Sequence, residues 1–238
     1  MDNANYVTLT RQSGLLREMQ AVANNIANTS TTGFRKEGLV FSEYVQGTGT
    51  GSPSLSMALA DVRATFQEQG GLTRTGASFD LAIEGDGFFM VSTPEGDQLT
   101  RAGSFSPDAS GELVTPEGFR LLDIGGAPVF VPPDAGAVRI ATDGTISVGD
   151  RPLAQIGVFL PEDPTGIERR HGVRFMVRGE VAPVHDSAIL QGFLEESNVN
   201  PVVEIARMIE VQRAYELGQT FLEKEDERIR SVLQTLGK

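Results

Sequence analysis

Three regions of the chain differ in the spacing of their apolar residues. Near the C-terminus, apolar or aromatic side chains recur seven positions apart at Met208, Tyr215, Leu222, Ile229 and Leu236. Val211 and Val232 occupy intervening half-steps, whereas Gly218 and Glu225 interrupt that second position. This heptad spacing predicts a helix of about 35 residues, roughly 50 Å long, with one apolar seam. A helix of that length needs a helical partner to bury the seam.

The C-terminal helix has a well-marked start. Asn200 is a residue type that accepts a hydrogen bond from a free backbone N–H at the N-cap, and Pro201 suits the first helical position. Glu204 would place a negative charge in the first turn, at the positive end of the helix dipole. The sequence therefore predicts that this helix begins at Pro201.

A second helix is predicted near the N-terminus, over residues 3–28. Its apolar stripe consists of Leu9, Leu16, Met19, Ala23 and Ile26, with Leu15 and Val22 beside it. Because no other long helical pattern occurs in the chain, we expect the two terminal helices to pair with each other and with neighbouring subunits. The alternative is that each helix packs separately on the region between them.

The first helix gives way to a polar run, ANNIANTSTTGF, at residues 23–34. Its Asn and Thr side chains compete for backbone hydrogen bonds, and Gly33 can adopt the positive φ that turns the chain. Such a run is usually the frayed end of a helix. Three amides on a helix that needs a partner would also suit hydrogen bonding across a protein interface.

Between the helices, the spacing of apolar residues changes from 3.6 to 2. Residues 37–71 are predicted to form an extended connector, with a Gly/Ser/Thr/Pro linker at 47–54. Residues 72–197 contain short strand-like runs separated by turn signals, of which Asp143-Gly144 is the clearest. The runs are 79–83, 88–91, 119–122, 129–131, 145–148, 156–160 and 175–177. This pattern predicts an antiparallel β domain, either a sandwich or a barrel-like sheet.

The predicted fold class is therefore α+β. Residues 1–36 and 198–238 form a discontinuous, coiled-coil-like helical domain made from both termini. Residues 72–197 form a central antiparallel all-β domain.

Charge separates the same regions. The formal net charge is −12, but residues 1–36 carry four basic and two acidic side chains, and residues 198–238 carry six and seven. The acidic excess therefore belongs to the middle, which argues against nucleic acid or an anionic membrane as a partner. The chain has no Cys for a disulfide and no apolar run long enough to span a membrane. The N-terminus has no Sec-type signal pattern, which by itself predicts a cytoplasmic protein.

Motifs that would indicate a metal or cofactor site are weak. His171 and His185 are the only two histidines, and neither has a second ligand at metal spacing. Residues 85–87 begin like a dinucleotide-binding fingerprint, but Met90 occupies the third Gly position. Asp108 is expected to form an Asx-type turn that needs no calcium.

Signs of catalysis are also weak. The acidic pairs Glu162/Asp163 and Glu195/Glu196 are expected to be solvated surface groups in a chain with 32 carboxylates. No G-x-S-x-G motif is present. We therefore expect no catalytic residue, cofactor, metal ion or small-molecule substrate.

Three separated stretches resemble the axial proteins of the bacterial flagellum, which are the rod, hook and hook-associated subunits. The stretches are ANNIANTSTTGF at 23–34, LTRTGASFDLAIEGDGFFMV at 72–91 and QGFLEESNVNPVVEIARMIEVQRAYE at 191–216. LTRAGSFSPDASGELVTPEGFRLL at 99–122 is similar to the rod and hook branch in particular. The chain length, the opening residues 1–3 and residues 41–44 most resemble the members that form the proximal rod, with the distal rod as the second choice.

This resemblance implies a helical inner domain from both termini, an outer β domain, and subunits stacked helically around a central channel. It also implies export by the flagellar type III apparatus without a cleaved signal, and a place in the periplasmic basal body. The implied partners are copies of the same chain, other proximal and distal rod subunits, and the export apparatus. The expected assembly interface comprises Asn24, Asn25, Asn28, Thr32, Gly33, Phe34, Asn198, Asn200, Met208, Gln212, Arg213, Tyr215, Leu222 and Ile229.

Two functions of different classes follow from the sequence. The first is a structural rod subunit that transmits torque, in which many packed helices share the load. The second is a β domain that binds or cleaves the cell wall, which would require a constellation of carboxylates or histidines. The first is favoured because no such constellation is evident.

Overall fold

A computed structural model of the chain describes residues 2–46, 55–163, 166–184 and 186–236, with only the backbone described at 2–6, 41–46, 55–63 and 236. The predicted linker at 47–54 and His185 lie outside the described residues. The fold consists of two long helices and a central antiparallel β region, which confirms the predicted α+β class. The chain divides into two compact units.

The first, here called the helical unit, comprises Met1–Ala27, Lys36–Phe66 and Val199–Lys238. It contains helix α1 (Asp2–Ala27), strands β1 (Glu37–Gln46) and β2 (Leu55–Thr65), and helix α2 (Pro201–Leu236). Helix α2 begins at the predicted residue, because the Oδ1 of Asn200 accepts hydrogen bonds from the N–H groups of Val202 (3.1 Å) and Val203 (3.3 Å). The N-cap chemistry therefore sets the start of this helix.

A long β-hairpin occupies much of the segment for which the sequence predicts an extended connector. Strands β1 and β2 pair antiparallel from Glu37 opposite Thr65 to Gln46 opposite Leu55, with a register shift between Val40 and Phe41. Such a shift marks a bulge, which bends a two-stranded ribbon. The connector segment therefore contains regular strands within the helical unit.

The second, here called the β unit, comprises Asn28–Arg35 and Gln67–Asn198. Its strands are β3 (Leu72–Arg74), β4 (Leu81–Glu84), β5 (Phe89–Thr93), β6 (Gly96–Thr100), β7 (Ser106–Pro107), β8 (Leu113–Val114), β9 (Arg120–Leu121), β10 (Val138–Ile140), β11 (Thr145–Val148), β12 (Arg151–Gln155), β13 (Phe159–Pro161), β14 (Ile167–Arg169), β15 (Arg174–Val177), β16 (Val181–Pro183), β17 (Ala188–Gln191) and β18 (Phe193–Glu195). The largest sheet has seven strands in the order β14-β15-β6-β5-β9-β8-β7. A three-stranded sheet, β10-β11-β12, and the pairs β13-β16, β17-β4 and β18-β3 complete the unit.

The core of the β unit lies among these short sheets. Its largest cluster includes Leu81, Phe89, Leu113, Leu121 and Ile146, none of which is exposed to solvent. A smaller cluster joins Phe88, Leu99, Phe159 and Phe175. Burial of side chains from strands that are distant in sequence supplies the main driving force for folding of this unit.

Two of the predicted turns are confirmed. Gly144 has a φ of +84°, and Asp143 accepts a hydrogen bond from the N–H of Thr145 at 2.9 Å, as expected for a tight Asp-Gly turn. The carboxylate of Asp108 accepts a hydrogen bond from the N–H of Ser110 at 2.8 Å, which is the predicted Asx turn.

Residues 129–131 were predicted to form a strand, and this prediction is wrong. Val129 and Val131 are buried, but Phe130 forms only an isolated bridge with Glu112. Pro128 and Pro132 flank the run and cannot donate the backbone hydrogen bonds that a longer ladder would need. Val129 and Val131 are therefore buried as a core strand would be, although the segment is not a regular strand.

Candidate assembly interface

The two terminal helices pair antiparallel within the helical unit. The Nε2 of Gln12 donates a hydrogen bond to the carbonyl of Tyr215 at 2.9 Å. Arg207 donates from Nε to Glu18 at 2.7 Å, and Asn25 donates to Glu204 at 3.0 Å. Residue numbers rise along α1 as they fall along α2, which defines the antiparallel direction. The predicted pairing of the two termini is confirmed.

The apolar seam of α2 lies on its partly buried face. Val211 is only 2% exposed, and Met208, Tyr215, Leu222 and Ile229 are partly buried. The structure explains why a glycine, Gly218, interrupts the heptad at this position. A Cβ added at this position would collide with the amide of Gln12, so the missing side chain admits the polar contact from α1.

The apolar stripe predicted for α1 is wrong in part. Leu9 is 54% exposed, Leu16 is 43% exposed and Ala23 is also exposed, whereas Met19 and Ile26 are partly buried. Val22, predicted to lie beside the stripe, is buried, and the buried face of α1 also carries Gln12, Glu18, Ala21 and Asn25.

The burial of polar residues on α1 has a physical cause. The side chains of Gln12, Glu18 and Asn25 each contact a partner on α2, so they enter the interface without losing all their hydrogen bonds. A pattern of apolar residues alone assigns such positions to solvent, which is why it did not identify these three residues as buried.

A buried polar centre joins α1, β1 and α2. Asn25 is 1% exposed, and its amide donates to the carbonyl of Glu37 (2.8 Å) and accepts from the N–H of Glu37 (2.9 Å). Glu204 is 2% exposed and forms an ion pair with Lys36 at 2.6 Å. Asn24 donates to the carboxylate of Glu37 at 3.2 Å.

This centre changes the interpretation of two residues. Asn25 satisfies backbone groups of its own chain, and is therefore an internal connector rather than a free amide. Glu204 was expected only to complement the helix dipole, whereas it is a buried carboxylate that holds Asn25 and Lys36. Sequence spacing carries no signal for this role, because 179 positions separate Glu204 from Asn25.

In the β unit, the polar run after α1 lies beside the last strand. Gly33 has a φ of +68°, and its N–H donates to the carbonyl of Glu195 at 2.8 Å. A Cβ at Gly33 would overlap the backbone of Arg101 and Ala102, so only glycine fits there. Phe34 is 1% exposed and lies beneath the guanidinium of Arg169, 4.6 Å from the ring centre.

The neighbouring polar residues form hydrogen bonds within the β unit. The N–H of Asn198 donates to the carbonyl of Phe34 at 3.3 Å, and its amide donates to the carbonyl of Glu68 at 2.8 Å. Asn28 accepts hydrogen bonds from Thr31 through both its carbonyl (3.2 Å) and its side chain (3.1 Å), forming a turn. Thr32 is partly buried.

A buried Arg–Glu–Arg cluster was missed by the sequence analysis. Glu195 is 1% exposed and forms ion pairs with Arg35 (2.8 Å) and Arg101 (3.1 Å). Its carboxylate also accepts a hydrogen bond from the N–H of Gly70 at 3.0 Å. Glu195 is therefore not the solvated surface group that was expected, although Glu196 is exposed. Its three partners are far apart in the sequence, so no local pattern could have indicated the cluster.

Burial perturbs the two arginines of this cluster. Desolvation lowers the pKa of Arg101 to about 10, with the charge of Glu195 acting in the opposite direction. The pKa of Arg35 is also lowered by desolvation, against the attraction of Glu195 and Asp86. Both shifts indicate that one carboxylate incompletely offsets the removal of two guanidinium groups from water. The cluster joins the polar run at 28–35 to the end of β18.

The remaining predicted interface residues lie on the surface of α2. Gln212 and Arg213 are exposed, and Gln212 donates to Glu216 at 3.3 Å. Asn200, which caps the start of α2, is also exposed.

The histidines and carboxylates do not form a metal site in the part of the chain that is described. Of the two histidines in the sequence, His171 is exposed and His185 lies outside the described residues. Within the described ranges, no group of three acidic or histidine side chains is arranged to hold a metal ion.

Large apolar side chains remain exposed on the helical unit. Val202 is 74% exposed, Leu217 is 73% exposed and Leu233 is 64% exposed. The helix pair therefore buries one seam and leaves other apolar faces open to solvent. Exposed apolar side chains that lie together on one surface are typical of protein–protein interfaces. None of the helices in the described part of the chain is long and apolar enough to cross a membrane.

Three family models match separate parts of the chain. Residues 6–35 match the model of flagella basal body rod protein, and residues 82–148 match the FlgE/F/G D1 domain of the flagellar hook protein. Residues 190–235 match the C-terminal model of the flagellar basal body rod FlgEFG protein. The matches therefore include both terminal helices and much of the β unit.

Individual proteins are similar over the full length. The flagellar basal-body rod protein FlgF of Caulobacter vibrioides is 41% identical, with 100% of this chain and 99% of the relative covered. FlgF of Mesorhizobium japonicum is 38% identical over the same shares of both chains. The flagellar basal-body rod protein FlgG of Bacillus subtilis is 29% identical, covering 96% of this chain and 97% of the relative.

Proposed function

The chain belongs to the flagellar basal-body rod protein family, and we propose that it is a proximal-rod subunit that assembles through its two terminal helices. A structural rod subunit is the role that its full-length relatives carry in their names. The proposal adds the position within the rod, the surface used for assembly and the mechanical task.

One observation carries the proposal: the helical unit pairs its own helices yet leaves apolar side chains exposed along α2. Val202, Val203, Ile205 and Ile209 are each between 45% and 74% exposed near its start. Their burial against further helices would be favourable by about 25 cal/mol per Å² of apolar surface. The exposed faces are therefore suited to neighbouring rod subunits and to copies of this chain.

The mechanical task follows from this arrangement. In a tube built from many such helix pairs, torsional load would be shared among side-by-side helices rather than concentrated at one bond. The polar contacts of Gln12, Glu18 and Asn25 would resist sliding of α1 along α2, because a shift of one turn would leave buried polar groups unpaired. We infer a mechanical role and no catalytic residue.

The proposed location is the periplasmic part of the basal body. We propose that the chain reaches it through the flagellar export apparatus without a cleaved signal. A chain without cysteine suits export in an unfolded state, because no disulfide has to form or break on the way.

The alternative within the family is the distal rod or the hook. Similarity to FlgG of Bacillus subtilis supports the distal rod as this alternative, although the identity is lower than that to the FlgF relatives. The cell-wall alternative has no supporting observation in the described residues.

Deletion of the gene and complementation would test the proposal. We expect the deletion strain to retain the inner-membrane ring, to lack the proximal rod and to be non-motile, as judged by electron microscopy of isolated basal bodies and swimming assays. The intact gene should restore both. A deletion strain that still builds a proximal rod would refute the proposal, and loss of only the distal rod would support the alternative.

A further inference from the structure

The arginines of the buried Arg–Glu–Arg cluster have more hydrogen-bond donors than the side chains and carbonyls around them accept. On Arg35, Nη1 contacts the carboxylate of Glu195 at 2.8 Å and also donates to the carbonyl of Glu68. The Nε and Nη2 atoms of Arg35 are buried and have no acceptor among the described residues, and the same is true of Nε on Arg101. Because Nε carries one N–H and Nη2 carries two, three N–H groups of Arg35 are unpaired within that part of the chain.

The unpaired atoms of Arg35 form one complete edge of its guanidinium group. In this planar group, the N–H of Nε and one N–H of Nη2 point in the same direction, and Nη1 lies on the other side. Two parallel N–H groups of this kind are the edge by which arginine holds an anion in a bidentate manner. Glu195 does not occupy the edge, since its contact is to Nη1. The edge therefore has the donor geometry for a second, separate acceptor.

The charge around this edge favours an anion over a neutral acceptor. Arg35, Arg101 and Glu195 carry two positive charges and one negative charge, and each side chain is at most 3% exposed. Asp86 attracts both arginines but is itself exposed to solvent. Arg169 places a third guanidinium nearby, because its Nη2 donates to the carbonyl of Arg35. A buried positive charge without a full counter-charge is costly, so an anion at the edge would be stabilising.

Burial limits the size of such an anion. Arg35 and the adjacent Phe34 are each 1% exposed, and the Nε and Nη2 atoms are buried with them. A phosphate or carboxylate group attached to a larger molecule would need a permanent opening to the surface. A free ion of a single atom needs none, since it can enter while the β unit folds or during a brief local opening.

We propose that the Nε–Nη2 edge of Arg35 binds a small monovalent anion, chloride, inside the β unit. The proposal does not depend on the rod function, because every residue that carries it belongs to the β unit and none to the terminal helices. The unfolded chain has no such enclosed edge, so the anion would bind only the folded β unit. Chloride would therefore stabilise the fold by mass action.

Thermal unfolding in two salts tests the site. Full-length protein would be unfolded in sodium chloride and in sodium gluconate at the same ionic strength, followed by circular dichroism. Gluconate is an organic anion that is too large for an enclosed edge. Relative to gluconate, we expect the Tm in chloride to rise by about 3–6 °C for each tenfold increase in concentration above the dissociation constant. Equal Tm values in the two salts at all concentrations would overturn the proposal.

Two arginine variants separate the site from general salt effects. Arg35→Lys keeps the positive charge but removes the planar edge. Arg178→Lys is the matched control, because Arg178 is 78% exposed and pairs with Glu168 at the surface. General salt effects should act alike on both variants and on the unsubstituted protein. The preference for chloride over gluconate should persist in Arg178→Lys and be lost in Arg35→Lys; a preference that survives in Arg35→Lys would contradict the assignment to this edge.

Crystals of the unsubstituted protein grown in sodium bromide provide a test that does not require Arg35→Lys to fold. Bromide has the charge of chloride and a strong anomalous scattering signal. We expect an anomalous peak beside Nε and Nη2 of Arg35. Density for a water molecule there without an anomalous signal, or bromide peaks only at exposed side chains, which would be adventitious ions only, would overturn the anion site and leave the rod function intact.

Discussion

Glu195 offers a sharp test of how the β unit is held together. Its carboxylate lies between the guanidinium groups of Arg35 and Arg101, at 2.8 and 3.1 Å, and all three side chains are buried. The substitution Glu195→Gln keeps the size of the side chain but removes its charge. The two buried cations would then lose the carboxylate that lies between them.

The expected effect is large. Removal of one partner from a buried ion pair costs about 3–5 kcal/mol, because the remaining charge stays desolvated and uncompensated. For a protein of this size, 1 kcal/mol corresponds to roughly 2–4 °C in Tm. We therefore expect the Tm of the β unit to fall by roughly 10 °C.

The measurement is thermal and urea unfolding of the full-length chain followed by circular dichroism, since the chain has no Trp to report by fluorescence. Glu196→Gln is the matched control, because Glu196 is the adjacent residue but is exposed. It should change the free energy of unfolding by no more than about 0.5 kcal/mol. Equal effects of the two substitutions would refute the role assigned to the buried charge.

An apolar triple variant separates charge from packing. Arg35→Met, Glu195→Leu and Arg101→Met together remove all three charges and retain much of the side-chain volume. Such replacements are often neutral or stabilising, since no ion then has to be desolvated. The triple variant should therefore be more stable than Glu195→Gln alone. If it is less stable, the cluster contributes through its geometry rather than through charge balance.

Three further predictions concern the helices and one turn. Asn25→Ala should destabilise the helical unit by about 2–4 kcal/mol, because it removes both buried hydrogen bonds to the backbone of Glu37; unchanged urea unfolding would contradict this. Leu222→Asp should abolish swimming while the circular dichroism of the β unit remains intact, and normal motility would count against the seam of α2. Hydrogen bonds from Thr145 lower the pKa of Asp143 below its ordinary value of 3.8, so the charged form favours the folded state. The stability advantage of the native protein over Asp143→Asn should therefore be present above about pH 4 and be lost as the pH falls further; an advantage that grows in acid would refute it.

Local chemistry made several elements predictable from the sequence. The start of α2 follows from Asn200 and Pro201, because a cap and a fixed φ act within one turn. The Asp143-Gly144 turn and the Asx turn at Asp108 follow from side chains that bond to backbone two residues away. The seam of α2 was predictable since a heptad repeat over five turns or more leaves little choice of face.

The face of α1 could not be predicted in the same way. Leu9 and Leu16 form the more apolar stripe, yet the structure buries Gln12, Glu18 and Asn25. A polar side chain is stable inside an interface only if the opposite element supplies a hydrogen-bond partner. Here the partners belong to α2, about 180 to 200 positions away in the sequence. No property of residues 2–27 alone contains this information.

The sequence by itself determined which segments are helical, where α2 begins, that the middle is antiparallel β, and which family the chain resembles. Each of these depends on residues close together or on a repeated spacing. The tertiary structure alone decided that Glu195 is a buried counter-ion, that Asn25 connects α1 to β1, and which apolar surfaces are left uncovered. These features depend on contacts between distant segments, and their free energies arise from desolvation and pairing that exist only after the chain has folded.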